Sequence, residues 1–126
     1  MAKLDRLPTG IGPIVEGFSG GGFRSGGAVY GQGLMLTPER ALAWAAPAPA
    51  DLAEDDFAPL LALDPLPEFI MLGTGAALVR PPAALGAALE AHGVGLEAMD
   101  SRAAARTWGL LRGEGRWIAA ALIPLA

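Results

Sequence analysis

The second half of the chain alternates short apolar runs with segments that have a helical pattern. The apolar runs predict three strands, FIML (69–72), VGLEAM (94–99) and RWIAAALIP (116–124). A helix is predicted over 81–92, with proline at its start and Gly93 just past its end. Another is predicted from a cap at Asp100 or Ser101 to about Arg112. Apolar strands separated by helices are typical of an α/β layer whose central sheet is covered on both faces.

The first half is punctuated by glycine instead. From Ile14 onward, apolar residues lie at close spacing between glycine-rich turns, which predicts short antiparallel strands joined by tight turns. Residues 19–22, with no helix after them, are predicted to form a hairpin turn rather than a phosphate cradle. A further strand is predicted around Trp44, then a proline-rich acidic loop and a short helix. We expect an irregular arm over residues 1–13 and a single α/β domain over residues 14–126.

The charge and hydropathy of the chain argue against several classes of partner. The net charge is −4 and the nine basic residues are scattered, whereas nucleic-acid binding usually needs a basic face. The longest apolar run, Ile118 to Ala126, spans nine residues, but a membrane-spanning helix needs about 20. The first ten residues lack the apolar core of a secretory signal. We therefore expect a soluble cytoplasmic protein with no integral membrane segment and no nucleic-acid partner.

Several kinds of catalytic or metal site lack their usual residues. The absence of cysteine excludes disulfides, thiolate metal sites and cysteine nucleophiles. His92 is the single histidine and is interpreted as a solvated residue near the negative end of a helix. The acidic run Glu54, Asp55 and Asp56 indicates helix-start electrostatics rather than a calcium or magnesium site. We expect neither a metal nor a cofactor.

The segment Gly73-Thr74-Gly75 follows an apolar run and has the outline of a nucleotide-binding turn. The dinucleotide motif has a third glycine where Leu78 stands. The next helix is delayed to about Pro81, and two prolines at its start lack amide donors. Glu97 stands about 20 residues on, where a ribose-binding carboxylate would be expected. A partial match of this kind is weak, and we interpret the turn as one that does not bind a nucleotide.

The last third of the chain carries a more specific pattern. Its pieces are Gly73-Thr74-Gly75, Glu97, Met99-Asp100-Ser101, Ala103-Ala104, Arg106-Thr107 and Glu114-Gly115-Arg116. With these motifs the sequence resembles the domain-of-unknown-function family with the Mth938-like fold. That family includes mitochondrial NADH:ubiquinone oxidoreductase (complex I) assembly factor 3 and small bacterial and archaeal proteins. The chain departs from the family pattern where Ala105 replaces a cysteine, Trp108 a tyrosine, Gly109 an asparagine and Arg102 a small residue.

The resemblance implies a three-layer α/β fold, with a mixed central β-sheet flanked by helices and an additional antiparallel β layer from the N-terminal half. It implies no established enzymatic activity and favours a small non-catalytic interaction protein, similar to an assembly factor. The partner would be another protein, such as a respiratory-complex subunit or assembly factor. The oligomeric state is left open. The candidate ligand or partner site comprises Gly73, Thr74, Gly75, Glu97, Met99, Asp100, Arg106, Thr107 and Arg116.

Two other interpretations of these residues stay open. A small-ligand-binding protein or an enzyme would use a pocket near Gly73-Thr74-Gly75 and the charged pair Glu97 and Arg106, because α/β folds place ligands at strand ends. In a purely structural interpretation, Glu97, Arg106 and Arg116 pair with one another, since buried charges need partners. We expect Glu97 and Arg106 to lie within ion-pair reach of each other or of the glycine turn. We also expect the alanine-rich strand near Ala120 to be central in the sheet.

Overall fold

A computed structural model describes residues 11–126 as two sheets and their flanking helices. The strands are β1 Gly17–Ser19, β2 Gly22–Ser25, β3 Ala28–Tyr30, β4 Leu34–Leu36, β5 Ala41–Ala43, β6 Phe69–Gly73, β7 Gly95–Met99 and β8 Ala119–Leu122. The helices are α1 Ala58–Leu61, α2 Ala83–Ala91 and α3 Ser101–Gly113, with 3-10 turns at Pro49–Asp51 and Glu54–Phe57. Residues 1–10 of the predicted arm lie outside the described residues, so the division at residue 13 stays a prediction.

The first three strands form an antiparallel sheet in the order β1-β2-β3. Its two tight turns contain the glycine pairs Gly20-Gly21 and Gly26-Gly27, all four with positive φ. Two consecutive positive φ values match the twist of a hairpin, and glycine adopts them without steric cost. The hairpin prediction for residues 19–22 is confirmed, since Ser19 pairs with Gly22 across that turn.

The other five strands form a mixed sheet in the order β5-β4-β8-β6-β7. Strand β8 lies in the middle, antiparallel to β4 and parallel to β6. All four of its residues, Ala119–Leu122, are buried. The predicted central position of this strand is confirmed. Strand β7 is at one edge of the sheet and is only partly buried, so the expectation that both faces are fully covered does not hold there.

Alternate residues of the central strand contribute to two apolar cores, one on each face of the mixed sheet. The first core lies under α1 and α2 and includes Phe57, Leu60, Leu72, Leu85, Leu89, Ala119 and Ala121. The second lies under α3 and the antiparallel sheet and includes Phe23, Leu34, Met71, Ala104, Trp108, Ala120 and Leu122. Because successive side chains of a strand point to opposite faces, β8 serves both cores. The three-layer α/β arrangement expected from the resemblance is confirmed.

Helix α3 crosses the face of the mixed sheet that carries the second core. It also makes hydrogen bonds to the segment before β1. Trp108 is fully buried, and its Nε1 donates to the Pro13 carbonyl at 2.8 Å. Arg112 is 4% exposed, and its Nε donates to the Ile11 carbonyl at 3.0 Å. At the start of the helix, Asp100 Oδ1 accepts from the Ala103 amide at 2.9 Å, which confirms the predicted cap.

The parallel strands β6, β7 and β8 end at one edge of the mixed sheet, which we call the carboxyl edge. They end at Gly73, Met99 and Leu122, which are in register with one another. Helix α3 begins at this edge and returns to the opposite one, where β8 starts. In the described part of the chain, no helix has the length and apolar character that crossing a bilayer requires.

Candidate functional site

The Gly73-Thr74-Gly75 turn lies at the carboxyl edge, and its polar groups are bonded within the protein. The Thr74 amide donates to the Met99 carbonyl at 2.9 Å. Thr74 Oγ1 donates to the Ala77 carbonyl at 2.8 Å and accepts from the Val79 amide at 2.9 Å. The Gly75 amide donates to Ser101 Oγ at 2.9 Å. Because a phosphate cradle needs free amides, the observed role of this turn is to join segments of the chain.

Ser101, which the sequence indicated as a possible helix cap and as part of the Met99-Asp100-Ser101 motif, also lies at this edge. Its side chain is fully buried, and its Oγ donates to the Ile123 carbonyl at 2.6 Å. Its own amide donates to the Gly75 carbonyl at 2.8 Å. Ser101 therefore ties together the turn after β6, the start of α3 and the segment after β8. Its place directly after the capping Asp100 was the available signal, but the long-range partners are set by tertiary structure.

Gly73 is required for this close approach. A Cβ atom added there would lie 2.7 Å from Ser101 Oγ and 2.9 Å from Leu122 Cδ2. Real Cβ atoms do not approach buried atoms so closely without displacing them. The glycine thus lets α3 start against the end of β6, which is a packing role that needs no ligand.

Met99 and Asp100 complete the carboxyl edge. The Met99 carbonyl accepts from Thr74, and its partly buried side chain packs against the second core. Asp100 caps α3 through its carboxylate. Thr107 lies farther along α3 and is partly buried. The structure therefore brings together five candidate residues at the carboxyl edge: Gly73, Thr74, Gly75, Met99 and Asp100. Ser101, which was not a candidate residue, lies between them.

Glu97 and Arg106 do not form the expected ion pair. Both are exposed, Glu97 on the edge strand β7 and Arg106 on α3. Neither side chain has an ion pair or hydrogen bond within residues 11–126. Helix α3 turns other residues inward and leaves Arg106 exposed. An exposed charge gains little from an ion-pair partner, because water already solvates it. The structural interpretation of these two residues as a charge pair is therefore wrong.

Arg116 lies at the opposite edge of the sheet and is paired there. Its Nη2 is 2.8 Å from Glu68 Oε1, just before β6. The hydrogen bond and the charge of Arg116 lower the pKa of Glu68, and Glu68 raises the pKa of Arg116 in turn. Strand β6 separates this pair from the glycine turn by about 16 Å, at about 3.3 Å per residue. Arg116 therefore does not pair with Glu97 or Arg106 and is not part of the carboxyl-edge cluster.

Beside β7, the loop after the glycine turn presents apolar side chains to solvent. Leu78 is 58% exposed and Val79 is 44% exposed. Leu78, Arg80, Pro81, Pro82, Leu96 and Ala98 line a shallow groove of about 450 Å³, which we call the edge groove. Four other surface grooves have volumes of about 280 to 530 Å³, and none of the five is lined by a residue of the candidate site. Among residues 11–126, no cluster of three or more histidine and acidic side chains offers a metal site.

The sequence and fold are similar to those of known proteins over most of their length. The profile of a family described as "Protein of unknown function (DUF498/DUF598)" matches residues 15–123. An uncharacterized protein of Rhodobacter capsulatus is 37% identical over 111 residues, which cover 88% of this chain and 84% of that protein. A solution structure of a Bordetella pertussis protein, described as a Mth938-like domain, has a TM-score of 0.81 at 26% identity and covers 99% of this chain and 94% of that one.

A third relative has a named role. The NADH dehydrogenase [ubiquinone] 1 alpha subcomplex assembly factor 3 of Danio rerio is 32% identical over 114 residues. The match covers 90% of this chain but 65% of that protein, so this chain is similar to about two thirds of it. The length of the match corresponds to nearly the whole described fold.

Proposed function

The chain belongs to the DUF498/DUF598 family of proteins of unknown function, and from this premise we propose that it is a non-catalytic assembly factor. It would bind another protein during the assembly of a respiratory membrane complex, and it would do so in the cytoplasm. The observation that carries the proposal is the similarity to an NADH dehydrogenase assembly factor across 90% of this chain. Family-level similarity is an argument by analogy, so the surface chemistry has to agree with it.

The carboxyl edge supports a protein-binding role. The polar groups of the glycine turn are bonded to Met99 and Ser101, so they offer little to a small polar ligand. Immediately beyond it, Leu78 and Val79 expose apolar side chains. Apolar side chains with a few charges around them are the chemistry of a protein interface.

The alternative of a ligand pocket near Gly73-Thr74-Gly75, Glu97 and Arg106 has less support. Such a pocket would bury most of a small molecule and converge a few polar groups on it. The five surface grooves described above do not include these residues. Glu97 and Arg106 are instead separately exposed to solvent.

The proposal is tested by deleting the gene in the native host and measuring assembled NADH dehydrogenase in solubilised membranes. We expect less of the complete complex and an accumulation of partial assemblies, both reversed by the wild-type gene. Affinity purification of the tagged protein should enrich a subunit or assembly factor of that complex over an unrelated tagged protein. Normal assembly in the deletion strain, together with no such enrichment, would overturn the proposal. Fractionation of the same cells checks the cytoplasmic location.

A further inference from the structure

Strand β7 is the outermost strand at one end of the mixed sheet. On its inner side, the Gly95 amide donates to the Glu68 carbonyl at 3.2 Å and the Met99 carbonyl accepts from Thr74 at 2.9 Å. Alternate residues of a strand direct their backbone groups to opposite sides, so Leu96 and Ala98 direct theirs outward. Within residues 11–126, no strand pairs with this side. The edge therefore offers two amides and two carbonyls at strand spacing.

The edge groove lies directly beside these groups. The side chains of Leu96 and Ala98 form part of its lining, together with Leu78, Pro81 and Pro82. A strand added to β7 would place every second side chain on this same face. Those side chains would enter an apolar groove, whereas Arg80 on its lining would repel a basic group there. The groove therefore selects apolar residues at alternate positions of an added strand.

Glu97 makes the other face of β7 acidic at its midpoint. It points away from the Leu96 and Ala98 face, is exposed and has no partner within residues 11–126. If two copies of this chain paired β7 with β7 in antiparallel fashion over the full strand, the two Glu97 carboxylates would lie opposite each other. Like charges in directly opposed positions are unfavourable, and charged residues are a common guard on sheet edges. This disfavours a second copy and favours a partner with a basic residue at that position.

We propose that β7 and the edge groove together bind an extended segment of a different protein, which adds a sixth strand to the mixed sheet. The segment carries a lysine or arginine opposite Glu97, flanked by apolar residues that enter the groove beside Leu96 and Ala98. Backbone hydrogen bonds supply affinity, and the edge groove and the charge of Glu97 supply specificity. The inference rests on the proposed protein-binding function and names the chemistry of the partner.

The first experiment selects short random peptides, displayed on phage, against the immobilised protein. We expect enriched peptides to have a basic residue between two apolar ones. They should bind Glu97→Lys about fivefold more weakly, as expected for reversing one cross-strand charge pair. Glu90→Lys, the same change at an exposed site on α2, should bind as the wild type does. Replacing the basic residue of the peptide by glutamate should restore binding to Glu97→Lys.

Three results of the selection would overturn the inference. They are no enriched peptide, enriched peptides without the basic-apolar pattern, and peptides that bind Glu97→Lys and the wild type equally well. Hydrogen exchange followed by NMR gives the second readout: an enriched peptide should protect the Leu96 and Ala98 amides. Ala98→Pro removes one of these outward amides, which an edge strand tolerates, and should weaken binding. Protection elsewhere on the surface would also overturn the inference.

A last comparison separates this inference from the proposed function. If the assembly partners co-purify equally with the wild type, Glu97→Lys and Ala98→Pro, the protein is an assembly factor that docks elsewhere, and the β7 proposal is wrong. If none co-purifies with the wild type but the peptide selection succeeds, the edge binds a strand from another kind of protein. Sedimentation of the wild-type protein tests whether two copies of this chain bind each other. A dimer in which the Leu96 and Ala98 amides are also protected from hydrogen exchange would show that β7 pairs with itself instead.

Discussion

Ser101 and Gly75 hold each other through two reciprocal hydrogen bonds. The Gly75 amide donates to Ser101 Oγ at 2.9 Å, and the Ser101 amide donates to the Gly75 carbonyl at 2.8 Å. The same hydroxyl donates to the Ile123 carbonyl, so one buried side chain joins three segments that are far apart in sequence. The candidate turn thus owes its shape to α3 and to the segment after β8.

Replacing Ser101 by alanine should therefore destabilise the protein by about 1–3 kcal/mol, because the Gly75 amide and the Ile123 carbonyl would be left buried without this partner. Urea denaturation monitored by circular dichroism measures the change. Ser19→Ala, at an exposed position beside a hairpin turn, is the control and should stay within about 0.5 kcal/mol of the wild type. An unchanged midpoint for Ser101→Ala would show that the hydroxyl is not a structural link.

Gly73→Ala should cost a similar amount, about 1–3 kcal/mol, because the new methyl group would collide with Ser101 Oγ and Leu122. The matched change is Gly86→Ala in α2, where an added Cβ meets nothing within 4 Å. That change should stabilise the protein by up to about 1 kcal/mol, because alanine is the better helix former. Opposite shifts of the two thermal midpoints are expected, and a neutral Gly73→Ala would contradict the close packing.

Ala120→Leu should overpack the second core and cost about 1–3 kcal/mol, since the residue lies on the central strand and is fully buried. Ala43→Leu, on the edge strand β5 at an exposed position, provides the comparison and should be nearly neutral. The free energies of unfolding from urea titrations give both values. Equal effects at the two sites would mean that β8 is not a packed central strand.

Two arginines of α3 should respond differently to truncation. Arg106→Ala should leave stability within about 0.5 kcal/mol, because the side chain is exposed and makes no ion pair within residues 11–126. Arg112→Ala should cost about 1–3 kcal/mol, since the guanidinium is buried and holds the Ile11 carbonyl. Thermal melts compare them. A large loss for Arg106→Ala would restore a structural role for that side chain.

The Glu68 and Arg116 pair should contribute a pH-dependent term to stability. The pKa of Glu68 is lowered from its ordinary 4.5 in the folded protein, so the folded state favours the charged carboxylate. This contribution is present above the unfolded pKa of 4.5 and is lost as the pH falls through the lower folded value. Glu68→Gln should therefore lose less stability than the wild type on acidification below 4.5, by a small amount because the pair is exposed.

Urea midpoints at neutral pH and at acidic pH measure this difference. Identical acid dependence in Glu68→Gln and the wild type would show that the pair does not shift the carboxylate.

The local elements were predictable because their signals are local. The prolines before α2, the acidic cap of α3 and the glycine pairs in the hairpins each act within a few residues of themselves. The central place of the alanine-rich strand followed from its continuous apolar character, which needs cover on both faces. The resemblance then supplied the mixed sheet and the second β layer, which periodicity alone did not specify.

The site was harder to predict, because its geometry depends on strand order. Arg116 lies three residues before β8, and a strand parallel to β6 must begin at the edge opposite the glycine turn. The separation of Arg116 from Glu97 therefore depends on the parallel pairing of β6 and β8, which the sequence pattern does not specify. The hydrogen bonds of Ser101 reach Gly75 and Ile123, which are 26 and 22 positions away in the sequence, and no local pattern indicates such partners. The exposure of Glu97 likewise follows from β7 being an edge strand.

The middle strand of the mixed sheet is the last of the described strands to be synthesised. Residues of β4 and β5 can form their hairpin, and β6, α2 and β7 can form their own unit, but among the described strands only β8 joins the two in this sheet. Beyond β8, the Leu125 amide also donates to the Gly21 carbonyl of the first hairpin at 2.7 Å. During synthesis on the ribosome, the β4–β5 hairpin and the β6–α2–β7 unit therefore cannot join in this sheet until β8 has emerged. Until then, the apolar faces of both units stay uncovered, and the sheet is completed only after all its other strands have been made.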